Sequence, residues 1–160
     1  METSSPQPPS LHNKQEFPPM HTAEHLLNRL MVETFGCERS RNAHIERKKS
    51  KISYTLPSCP TEQEVDEIVK RMNALIAADL PVTYEYVSRN ALPAGVSAER
   101  LPEHASEEVR IVRIGDFDIC PCIGLHVGST REIGEFILLG TNWDEERHSF
   151  RLRFKVKASE

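Results

Sequence analysis

The chain has 160 residues, which suits one compact domain with a substantial buried core. Hydrophobic residues make up 38% and charged residues 28%, and no apolar run approaches the ~20 residues needed to span a bilayer, so no membrane-spanning helix is expected. The net charge of −4 argues against a broadly basic nucleic-acid-binding surface, so any such contact has to come from local patches.

Residues 1–19 hold five prolines among Ser, Gln and Asn, and read as a flexible N-terminal arm ahead of a domain over 20–160. This opening lacks a basic-then-apolar secretory pattern, which makes the cytoplasm the expected location. Four cysteines, Cys37, Cys59, Cys120 and Cys122, are then expected as reduced thiols, for metal binding or burial rather than disulfides.

From Met20 the spacing of Ala23, Leu26, Leu27, Leu30, Met31 and Thr34 predicts a helix with one buried stripe, stopped near Gly36. The following segment alternates like a strand, with Ile45, Ile52, Tyr54 and Leu56 as inward positions. Thr61 and Glu64 form a capping box ahead of a second helix. Its stripe is Val65, Ile68, Val69, Met72, Leu75 and Ile76, and it is expected to run to Leu80 with Pro81 as the stop. Residues 81–88 read as a strand, 89–106 as loop and short helix, 108–115 as a strand, and 115–130 as a glycine-containing loop. Two more strands are expected over 133–140 and 148–158, the last alternating through Phe150, Leu152, Phe154 and Val156. The order of elements predicts an α+β domain, an antiparallel sheet with two long packed helices.

His21 and His25 lie four apart on the first helix, one turn apart on one face, so both imidazoles can reach one ion. Far along the chain, Cys122 and His126 flank Gly124, a residue that would let the turn fold tightly. The N, N, S, N donor set suits tetrahedral zinc. Cys120 is a competing thiolate. The same helix reads His21-x-x-Glu24-His25, a zinc-peptidase pattern in which Glu24 is the general base and Glu99 or Glu103 the third ligand. That second reading leaves Cys122 and His126 unemployed.

HTAEHLL at 21–27 together with CIGLHVGSTREIG at 122–134 resembles the editing domain shared by alanyl- and threonyl-tRNA synthetases and by free-standing alanyl-tRNA editing proteins. The resemblance covers roughly residues 20–156 and includes the order of elements between the two motifs. It implies an editing fold, a zinc ion held by the helical HxxxH and the distant CxxxH, and an aminoacylated tRNA bound by its acceptor end. The implied reaction is hydrolysis of mischarged tRNA(Ala), carrying Ser or Gly. No synthetase catalytic domain accompanies the segment, so action in trans is expected. The alanyl family usually reads C-G-G-T-H at the second motif, whereas this chain has Ile123 and Leu125 at the second and fourth places. That departure bears on amino-acid selectivity and keeps open threonyl-type editing and a non-catalytic, zinc-stabilised RNA-binding module.

Thr22 and Glu24 flank the helical ligands, displaced by about 100° and about 60° from their direction. Each is a candidate catalytic residue that orients a water or holds a ligand. Thr130 matches a threonine of the family motif and is the third candidate. RNA contacts are expected from Arg39, Arg41, Arg47, Lys48, Lys49 and Lys51, a basic run in an otherwise acidic chain. Arg147, Arg151, Arg153, Lys155 and Lys157 form a second group that alternates on the last strand. The oligomeric state is left open.

Overall fold

The computed structural model describes residues 17–93, 96 and 108–159. Most of the predicted arm, most of the 89–106 loop, and Glu99 and Glu103 lie outside the described residues.

Helix α1 spans Pro18–Phe35, two residues ahead of the expected start. Pro18 and Pro19 sit in its first turn, where a missing N–H costs nothing. Phe17 takes the cap position with its ring buried, and its carbonyl accepts from the Met20 and His21 amides. Gly36 ends the helix in the left-handed region at φ 69°, its N–H donating to the Val32 carbonyl. Met20, Ala23, Leu26, Leu27, Leu30 and Met31 are fully buried, each large side chain among them worth roughly 1.5–3 kcal/mol. Thr34 is exposed, so the apolar stripe stops one turn earlier than predicted.

Helix α2 spans Glu62–Ala77. Its capping box is present in both directions: the Glu64 N–H donates to Thr61 Oγ1 at 3.1 Å and the Thr61 N–H to Glu64 Oε1 at 2.9 Å. The helix stops three residues short of Leu80, and Asp79 turns the chain at φ 55°. Ile68, Met72 and Ile76 face the core.

Antiparallel strands are divided between two sheets rather than joined in one. The first has order β1-β2-β7-β6, with β1 Asn42–His44, β2 Ser50–Thr55, β6 Phe136–Asp144 and β7 Ser149–Val156. The second has order β3-β4-β5, with β3 Val82–Ser88, β4 Glu108–Ile114 and β5 Asp118–Pro121. Alternation in a sequence reports which face a residue takes, not which strand lies beside it, and so it does not separate the sheets. β5 also adds a short strand inside the segment read as loop.

Helix α1 touches β7 of the large sheet and β5 of the small one. That double contact explains why Thr22, His25 and Asn28 are buried as well as its apolar stripe. Asn28 Oδ1 accepts from the Ser40 N–H at 3.1 Å and the Tyr54 hydroxyl at 2.9 Å, tying α1 to β2 and to the chain that leads into β1. No helix among the described residues is long and apolar enough to cross a membrane.

Candidate metal centre

The first turns of α1 lie against the end of β5 and the loop that follows it, and this junction brings four side chains together. One nitrogen from each of His21, His25 and His126 and the sulfur of Cys122 all lie within 4.8 Å of one another. Cys122 Sγ is 3.5 Å from His21 Nε2. The imidazole centroids are 4.3 Å apart for His21 and His126, 4.5 Å for His25 and His126, and 5.0 Å for His21 and His25. Cys120 stays outside this group, and none of the four cysteines is joined in a disulfide.

Each half of the cluster orients the other. His21 Nδ1–H donates to the Leu125 carbonyl at 3.0 Å, which turns Nε2 inward. Thr22 Oγ1 lies 2.9 Å from His126 Nδ1 and accepts from the Val127 N–H at 3.2 Å. In the tautomer that serves a metal, His126 Nδ1–H donates to this oxygen and Nε2 presents its lone pair. His126 Nε2 is buried with no hydrogen-bond partner, as expected of an atom whose partner is a cation. His25 Nδ1 faces Asp118 Oδ2 at 3.7 Å, and Asp118 is held by Arg39 through bonds of 2.7 and 3.2 Å. A carboxylate behind a histidine fixes ring orientation and raises the basicity of the inward nitrogen.

The Cys-x3-His loop is braced from β4. Arg110 Nε–H donates to the Cys122 carbonyl at 2.7 Å, its terminal nitrogen to the Gly124 carbonyl, and the Cys122 N–H returns to the Arg110 carbonyl at 3.2 Å. The Gly124 N–H donates to Cys122 Sγ at 3.4 Å. Gly124 therefore acts through its amide and carbonyl, and it is not among the glycines at positive φ, contrary to the tight-turn role read from the sequence.

Electrostatics follow from this packing. Burial works to raise the Cys122 thiol, but interaction with His126, His21 and His25 outweighs it and brings the group down to about 2, a thiolate at neutral pH. Burial lowers His126 to about 4, which keeps it neutral. Burial also opposes a charge on His25, yet Asp118 leads the interactions that raise it overall. Asp118 is lowered against its own burial by His25 and Arg39. One thiolate and three imidazoles are the chemistry that tetrahedral zinc takes.

The other predicted residues separate. Thr22 is fully buried and holds the His126 ring. Glu24 stands beside the cluster, its Oε1 3.9 Å from His21 Nε2. The Thr130 hydroxyl accepts from the Leu80 N–H at 2.8 Å and donates to the Leu75 carbonyl at 2.8 Å, which closes the end of α2. The Arg39 guanidinium is paired with Asp118 at 2.7 Å. The rest of that basic run does not form one patch. Arg41 lies 4.0 Å from Glu38, Arg47 stacks over the Phe17 ring at 4.3 Å, Lys48 and Lys49 are exposed between β1 and β2, and Lys51 lies on β2. Asp118 and Arg110 were missed. Asp118 lies on β5, a strand inside the segment read as loop, and nothing local marks Arg39 or Arg110. A concavity of about 560 Å³ borders Arg39 and Tyr54 rather than the cluster. The donors outweigh its size as a marker of chemistry. The exposed Tyr84, Ile123 and Leu125 lie on the cluster's side of β3 and on its loop, with Tyr84 6.4 Å from His126.

Residues 109–152 match the family described as threonyl and alanyl tRNA synthetase second additional domain. The chain is 31% identical over 120 residues to the alanyl-tRNA editing protein AlaX-L of Pyrococcus horikoshii, covering 72% of this chain and 28% of that protein. It is 30% identical over 122 residues to the alanine–tRNA ligase of Pelotomaculum thermopropionicum, covering 75% and 14%. With the alanine–tRNA ligase of Treponema denticola it shares 29% identity over 119 residues, covering 74% and 20%. The match thus spans less than a third of the length of each of these relatives.

Proposed function

Because the chain is a member of the alanyl- and threonyl-tRNA synthetase editing-domain family, we propose that it hydrolyses the ester of mischarged tRNA(Ala), releasing Ser or Gly at a zinc site. The supporting observation is the convergence of His21, His25, Cys122 and His126 within 4.8 Å, across about a hundred residues of sequence. Under this reading the domain acts in trans, in the cytoplasm, on the acceptor end of tRNA charged by a separate enzyme. The name of the Pyrococcus relative supports the editing role.

These four side chains would hold the metal, which when bound supplies a Lewis acid and a grip on the substrate's free amino group or carbonyl. Every other step falls to the chain's own groups. An aminoacyl ester is an activated acyl group, so a positioned water suffices as nucleophile. Glu24 is the one candidate catalytic residue whose polar atoms are not spent on the fold. Its carboxylate beside His21 can hold a water or the substrate ammonium and take up a proton. Thr22 acts as a positioning residue through His126. Leu125 and Ile123 project apolar side chains at the loop, which favours a small acyl group over one needing polar contacts there.

Metal analysis of the purified chain, paired with hydrolysis of precharged Ser-, Gly- and Thr-tRNA, tests the reading. The expected result is stoichiometric zinc, release of Ser or Gly from tRNA(Ala), and no turnover by His21→Ala. Preferred release from Ser-tRNA(Thr) would instead place the chain with threonyl-type editing. The commitment of Thr22 and Thr130 to structural bonds favours one further reading, a zinc-stabilised RNA-binding module without catalysis. Full zinc content with every ester left intact would select it. The peptidase reading takes its third ligand from residues outside those described, and it predicts peptide cleavage lost on Glu24→Ala.

A further inference from the structure

We infer that the outer face of the four-stranded sheet is a docking surface for the phosphate backbone of RNA. The identification of RNA rests on the proposed function; the face itself does not. β7 alternates, with Phe150, Leu152, Phe154 and Val156 buried inward and Arg151, Arg153 and Lys155 outward. β2 brings Lys51 directly opposite Arg153, and Ser53 opposite Arg151. β1 adds Asn42 opposite Ser53 and His44 opposite Lys51.

Among the described residues, Lys51, Arg151 and Arg153 make no ion pair, whereas Arg29, Arg39, Arg71, Arg113 and Arg131 each have an acidic partner. The nearby Glu46 is already taken by His44. Like charges directly opposite on neighbouring strands destabilise a sheet, so the Lys51–Arg153 pair works against the fold unless an anion lies over it. Arg153 lies flat across β6, where a Cβ on Gly140 would meet its guanidinium at 2.2 Å. Asn42, His44, Lys51, Ser53 and Arg151 line a shallow concavity of about 250 Å³. Lys51 and Arg151, with the hydrogen-bonding Asn42 and Ser53 and the Glu46-paired His44 beside them, form a recess with room for a phosphate. Alternate positions along β7 continue the positive track at roughly 6.6 Å per step, which suits a linear polyanion. In a chain of net charge −4 the cluster of Lys51, Arg151 and Arg153 is the local patch that an acidic protein needs to hold RNA.

The test is a salt titration of binding to uncharged tRNA(Ala), using the full chain and the triple variant Lys51→Gln/Arg151→Gln/Arg153→Gln. Losing three phosphate contacts should lower the slope of log K against log salt by roughly 2.7 and weaken binding at least tenfold at ~0.1 M salt. Zinc content and melting temperature should be unchanged or, for the latter, higher, since a like-charge pair is relieved. Lys70→Gln/Arg71→Gln on α2 should leave the slope as it was. An unchanged slope in the triple variant overturns the inference, whatever the hydrolysis assay shows. Equal, variant-sensitive binding to phosphatidylserine vesicles with no binding to tRNA overturns it in favour of a membrane surface. Variant-sensitive tRNA binding without hydrolysis of any ester sustains this face while ending the deacylase reading.

Discussion

The inner face of the large sheet presents Ile52, Tyr54, Phe150, Leu152, Phe154 and Val156, all buried. One face of the small sheet begins in the same way with Val82, Ile114 and Val112, then turns polar through Asp118, Arg110 and Cys122. One region is held by area removed from water, which is tolerant of detail. The other is held by directed bonds, each of which leaves a buried polar group stranded if its partner is lost. The same helix serves both: α1 gives its leucines to the core and His21, Thr22 and His25 to the junction.

Four substitutions probe that contrast. Phe154→Ala should cost about 3–5 kcal/mol in denaturant unfolding, because a large ring leaves a cavity in the apolar layer. If zinc fully restores that loss, the two regions are not separable as described. Asp118→Asn should weaken zinc 10–100-fold in chelator competition, an effect of roughly 1.4–2.7 kcal/mol, while the fold persists. The same variant changes acid stability. Asp118 has a lowered folded pKa, so its contribution is complete above the unfolded value of ~3.9 and is lost as pH falls through the lower folded value. The variant should therefore show a flatter acid limb below about pH 4. Thr130→Val should cost about 1–3 kcal/mol by stranding the Leu80 N–H, with zinc content and turnover intact. Loss of turnover without loss of stability would return Thr130 to the catalytic set. Thr61→Ala, which removes the α2 cap far from either region's centre, should cost only about 1 kcal/mol by thermal melt.

The contrast also explains what was legible in the sequence. Burial by area leaves a periodic trace, so the core of α1, the inward residues of β7 and the cap at Thr61 could be read directly. Helical spacing exposed His21 and His25, and the short Cys122–His126 separation exposed the other pair. Bonds between segments distant in sequence leave no periodic trace. Arg39 reaches Asp118 across 79 positions and Thr130 reaches Leu75 across 55, so neither pairing could be read from the sequence. The division into two sheets is likewise set by which strands pair, and no composition change marks it.

Thr22 on the helix steadies a histidine of the loop, and the loop carbonyl of Leu125 steadies a histidine of the helix. Such cross-bracing means that neither peptide, cut from its context, retains a usable half of the cluster. Fraying of the first turns of α1 would misalign donors on both segments at once, so metal capture should be lost as a single cooperative event. Occupancy then becomes an internal gauge of how tightly the start of α1 is seated.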